Sequence, residues 1–74
     1  MERTVNHTYF KFLIDQKGGI AKVSVKSNVS TFTIMKASNR LNPLVPKKIS
    51  TRVKLAQALG VTEEELFPLI DKAS

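Results

Sequence analysis

The sequence predicts an all-α fold, a single domain of five short helices. Two observations carry that expectation. Apolar residues recur at helical spacing in successive windows, and each window is bracketed by residues that start or stop helices. A third observation narrows it. The 74 residues contain no cysteine and one histidine, His7, so neither a disulfide nor a thiolate-metal staple can hold the chain, and no metal or cofactor is expected. A core of this size is marginal alone. Close packing over about residues 5–70 must supply the stability, with dimerisation as a further source of burial.

Taken in order, Met1 to Thr4 read as a polar lead-in. Asn6 or Thr8 caps a first helix running to about Lys17, with Val5, Tyr9, Phe12 and Leu13 on its inner face and Phe10 and Ile14 broadening it. Gly18 and Gly19 end it, one of them supplying a left-handed cap. The pair is no phosphate loop, because the longer frame ending in Gly-Lys-Ser/Thr is missing. Two helices follow, Ile20 to Ser27 and Ser30 to Asn39. Asn28 between them tolerates left-handed backbone, Val29 plugs the space between the helices, and the Ser30 hydroxyl caps the second. Small Ser24 permits a close crossing. Val23, Val29, Ile34 and Ala37 then share a core, while Thr31, Phe32, Met35 and Lys36 stay outside. The many β-branched residues also permit strands at Ala21–Val25 and Thr31–Ile34.

Asn39, Asn42, Pro43 and Pro46 mark a loop, with Leu41, Leu44 and Val45 anchoring it on the core. Pro46 opens a fourth helix, Lys47 to Leu59, that buries Ile49, Val53, Leu55, Ala56 and Leu59 and stops at Gly60. Thr62 with Glu65 three residues on is a capping-box pattern for a last helix, which Pro68 keeps short. Phe67, Leu69 and Ile70 either finish the core or form a dimer contact.

The net charge of +6 is unevenly placed. From Lys17 to Lys54 every charged residue is basic, and the acids sit near the ends: Glu2, Asp15, Glu63, Glu64, Glu65 and Asp71. A basic middle fits a polyanion such as nucleic acid better than a uniformly basic surface does. Its bland counterpart is a set of solvated lysines. An enzyme is not expected, because one histidine, no cysteine and terminal carboxylates offer no acid/base pair or activated nucleophile. No apolar run reaches a membrane span and no signal peptide is evident. A soluble, cytoplasmic protein is therefore expected.

The layout at residues 20–39 resembles a helix-turn-helix, in which the second helix enters the DNA major groove. Two segments resemble the Cro/CI-type (Xre-like) family of phage and bacterial regulators. Asn28-Val-Ser-Thr-Phe-Thr-Ile-Met-Lys-Ala stands where that family has Gly-Val-Ser-x-x-Thr-Ile-x-x-Ile. Leu55-Ala-Gln-Ala-Leu-Gly-Val-Thr-Glu-Glu-Glu-Leu-Phe67 follows the family's Leu-Ala-x-Ala-Leu-Gly-Val-x-x-x-x-Leu-Phe ending. The likeness covers about Thr8 to Phe67. It implies a compact five-helix, lambda-repressor-like DNA-binding domain with the motif at helices 2 and 3, acting beside the nucleoid of a bacterial or phage-infected cell.

That resemblance also implies roles. Thr31, Phe32, Met35 and Lys36 would face base edges, with Lys36 donating to guanine and Phe32 touching thymine methyls or wedging against the backbone. Ser30, Arg40, Lys47 and Lys48 would hold phosphates, with Lys22 and Lys26 adding charge. A double-stranded operator read by a homodimer is the implied partner. There are departures. Gly19 and Ile20 stand where the family starts helix 2 with a Thr or Ser cap and Gln, Ser24 replaces Ala, Asn28 replaces Gly, and Ser38 replaces an acid. Ile20, Phe32 and Met35 make the exposed face apolar, which suits a protein interface. Phe67, Leu69 and Ile70 are further candidates for one. An antirepressor that grips a partner helix-turn-helix repressor is therefore the alternative, and antitoxins of this fold are a third.

Overall fold

The computed structural model describes residues 2–70. Five helices account for most of them: α1 His7–Gln16, α2 Ile20–Ser27, α3 Thr31–Ala37, α4 Ile49–Leu59 and α5 Glu63–Leu66. Two short strands, β1 Glu2–Arg3 and β2 Leu69–Ile70, pair antiparallel, with Arg3 opposite Leu69. Residues read as a polar lead-in thus form half of a ribbon. Thr4 extends it, donating its N–H to the Pro68 carbonyl at 2.9 Å.

Asn6 caps α1 by accepting from the Tyr9 N–H at 3.1 Å. Val5 and Phe10 occupy the N′ and N4 positions of a hydrophobic staple, and both are buried. The inner face of α1 is Phe10, Leu13 and Ile14, whereas Phe12 is mostly exposed. The expected stripe was rotated because Val5 precedes the helix and sets no helical phase. Behind α1, Gly18 adopts φ +98, and the Gly19 N–H returns to the Ile14 carbonyl at 3.0 Å. This cap satisfies carbonyls that the last helical turn would leave open.

The core gathers these α1 residues with Val23, Val29, Ile34, Ala37, Leu55, Ala56, Leu59, Leu66 and Phe67. α2 packs against both α3 and α4, so it fixes where α3 sits. The start of α4 differs from expectation. Lys48 is its N-cap, not an internal residue, and Ile49 in the first turn is exposed. Pro46 and Lys47 belong to the preceding loop. Within that loop, Val45 alone packs on the core, while Leu41 and Leu44 remain exposed. Thr62 caps α5 through the Glu65 N–H at 3.1 Å. Among the described residues, no helix is long and apolar enough to cross a membrane.

Candidate nucleic-acid interface

The segment that presents α3 is built from small local bonds. Asn28 takes left-handed backbone at φ 58, ψ 33, which turns the chain sharply after α2. Ser24 does more than leave room: its hydroxyl donates to the Val29 carbonyl. Ser27, itself buried, donates to the Val23 carbonyl at 2.6 Å and accepts the Val29 N–H at 3.3 Å. Val29 is therefore held by both backbone groups while its side chain enters the core. Ser30 then caps α3, accepting the Thr33 N–H at 3.2 Å, with its hydroxyl 3.0 Å from that of Thr33. α3 itself starts at Thr31 and ends at Ala37, one residue later and two earlier than its expected limits.

With Ile34 and Ala37 fixed inward, Thr31, Phe32, Met35 and Lys36 project outward, and all four are exposed. Phe32 and Met35 are 65% and 57% exposed, so neither serves the core. The Lys36 ammonium lies 4.3 Å from the Phe32 ring centroid, a cation–π contact one helical turn apart. A groove runs beside this pair, walled by Leu44, Pro46 and Lys47 of the next loop. The loop is pinned there because the Leu44 N–H donates to the Lys36 carbonyl at 3.0 Å. The Asn39 side chain accepts the Leu41 and Asn42 N–H groups, which fixes the turn that carries Arg40.

One basic residue of the middle plays a different part. Arg52 is largely buried and donates to Glu63 Oε2 at 2.7 Å, to the Pro46 carbonyl at 2.7 Å and to the Lys47 carbonyl at 3.0 Å. It ties the loop before α4 to the first turn of α5. Arg3 reaches the other Glu63 oxygen at 3.6 Å and donates to the Phe67 carbonyl at 2.9 Å. Sequence reasoning missed this bracket, since only the fold brings residues 3, 46, 52 and 63 together. Among the described residues, the ion pairs all involve Glu63, so Lys22, Lys26, Lys36, Arg40, Lys47 and Lys48 are in none. No acidic residue lies between Asp15 and Glu63 to neutralise them.

The expected phosphate residues do not form one cluster. Lys47 lines the groove beside α3, and Lys48 follows it at the α4 N-cap, where no side chain caps the helix. Lys22 lies back over the Gly18 turn. Lys26 shares a shallow cleft with Lys54 and Gln57 between α2 and α4, apart from the α3 groove. Among the interface candidates, Phe67 is fully buried with its ring 6.0 Å from that of Phe10, so it is a core residue and offers no docking surface. Ile20 is half-buried against the core. Leu69 is half-exposed on β2, and Ile70 is partly buried. No protein-family model matches the chain, and neither a curated protein nor a solved structure is significantly similar to it.

Proposed function

We propose that this chain is a small sequence-specific DNA-binding transcriptional regulator, a Cro-like repressor. In this reading α2, the Asn28 turn and α3 act as a helix-turn-helix, and α3 enters the major groove of an operator. One observation carries it: the outer face of α3, with Thr31, Phe32, Met35 and Lys36 exposed, adjoins Lys47, the residue before the uncapped start of α4 at Lys48. Lys36 and Thr31 have the donors to read base edges. The unpaired N–H groups at the α4 start and the two lysines suit a phosphate. Phosphate contacts would provide most of the affinity and make it steeply salt-dependent. One α3 reads only a few base pairs, so a homodimer on a pseudo-palindromic site is the fitting assembly.

The test is fluorescence anisotropy with the DNA flanking the protein's own gene and a scrambled duplex, each at low and near-physiological salt. Selective binding that survives the higher salt is expected. Weak binding equal for both duplexes would reduce the interaction to charge attraction. The strong exposure of Phe32 and Met35 favours a second reading, an antirepressor whose α3 face covers a partner repressor. In that case Phe32→Ala abolishes the complex with the repressor, and the free protein binds DNA poorly.

A further inference from the structure

Phe32 and Lys36 are usually separate kinds of DNA contact, one apolar and one charged. Here they form a unit. They sit four residues apart on α3, with the ammonium 4.3 Å from the ring centroid. Neither residue is needed by the core: Phe32 is 65% exposed, and Lys36 has no ion-pair partner among the described residues. The Leu44 N–H holds the Lys36 carbonyl, and Leu44 and Pro46 give the groove beside the pair an apolar wall. Lys47 lines the same groove, so two cations, Lys36 and Lys47, border its apolar residues. The charge suits a polyanion, and the apolar residues suit a small apolar group carried by it.

Resting on the DNA-binding reading, we infer that Phe32 and Lys36 act as a single reader for thymine. The ring takes the 5-methyl group, and the ammonium donates to O4 of the same base. Thymine is the one base that presents an acceptor and a methyl group together in the major groove. Guanine offers acceptors without a methyl. Cytosine turns an amino donor toward the ammonium, and adenine pairs its acceptor with a donor. A cation touching an aromatic face thus has the chemistry of one base edge, and the Lys36–Phe32 contact keeps the two parts together before DNA arrives.

The probes are 20-base-pair alternating duplexes, which offer the target base in every register. One is built from dA and dT and a second from dA and dU, which differ only by the methyl. A third contains dA and 4-thio-dT, which keeps the methyl and replaces the O4 acceptor with a weakly accepting sulfur. Binding is read by anisotropy at fixed salt, with circular dichroism confirming that each variant folds. The wild-type chain should bind the dT duplex about fourfold more tightly than the dU duplex for each methyl covered. Phe32→Ala should bind these two equally. Lys36→Met should keep the dT-over-dU preference while narrowing the preference for dT over 4-thio-dT. Equal, salt-sensitive binding of the dT and dU duplexes by the wild-type chain would overturn the thymine assignment and leave DNA binding standing. Binding to none of the duplexes even at low salt, where a DNA-binding chain retains nonspecific affinity, would overturn both.

Discussion

Replacing Arg52 with methionine should destabilise the domain by about 2–4 kcal/mol, because each hydrogen bond to a charged group contributes about 1.5–3 kcal/mol and a methionine stem restores part of the packing. The guanidinium makes three such bonds, to Glu63 and to the Pro46 and Lys47 carbonyls. Its side chain is 11% exposed and that of Glu63 20%, so water reaches the pair only in part and the loss falls short of a fully buried ion pair's. Arg3 remains 3.6 Å from Glu63 and softens the effect. A chain of this length has a total stability of roughly 4–11 kcal/mol, so the variant would lose roughly two-fifths of it. The midpoint of thermal unfolding should fall by roughly 10–25 °C. Urea unfolding followed by far-ultraviolet circular dichroism measures the change. A double-mutant cycle with Glu63→Gln isolates the pair and should return a coupling of about 1–3 kcal/mol. A loss under about 0.5 kcal/mol, or a coupling near zero, would mean that the bracket behaves as a solvated surface pair and the reasoning fails.

Other substitutions test the assignments one by one. Phe67→Ala should cost about 3–5 kcal/mol in urea unfolding, as for a buried aromatic, while Leu69→Ala should cost less than about 1 kcal/mol; comparable losses would undo the separation of core from ribbon. Asn28→Val should destabilise by about 1–2 kcal/mol because a β-branched residue resists left-handed backbone, and Asn28→Gly should be neutral or mildly stabilising; a tolerated valine would refute the role of the turn. On the DNA-binding reading, Lys47→Ala should weaken all duplexes alike and lower the salt slope by about 1, whereas Lys36→Ala should relax base preference. Equal effects of both on every sequence would remove that division.

The α2–α3 segment was legible because its signals are local. Asn28, Val29 and Ser30 each have a conformational reason to be where they are, and the fold uses all three as expected. Thr62 and Glu65 announced α5 in the same way. What the sequence hid depends on distance or on phase. Two-residue strands carry no alternation to detect, so the pairing of β1 with β2 is set by tertiary contacts alone. Phe10 and Phe12 are equally apolar, and only the start of α1 decides which one turns inward. A helix opened by Pro46 would bury Ile49; the helix that begins at Ile49 instead leaves that side chain in the first turn, facing solvent. For the candidate interface, the four outward residues of α3 could be read from periodicity. Their companions Leu44 and Pro46 could not, since a single backbone bond to the end of α3 brings them there.

The ribbon has a consequence for the order of events during synthesis. Arg3 leaves the ribosome 64 residues ahead of the Phe67 carbonyl that it binds. Until then α1 to α4 can collapse, but β1 has no strand to pair with and Arg3 no carboxylate at Glu63. The β1–β2 ribbon is therefore expected to form last. A truncated or stalled product would display an open strand edge and an unmatched arginine, features that nascent-chain quality control can recognise before the finished protein hides them.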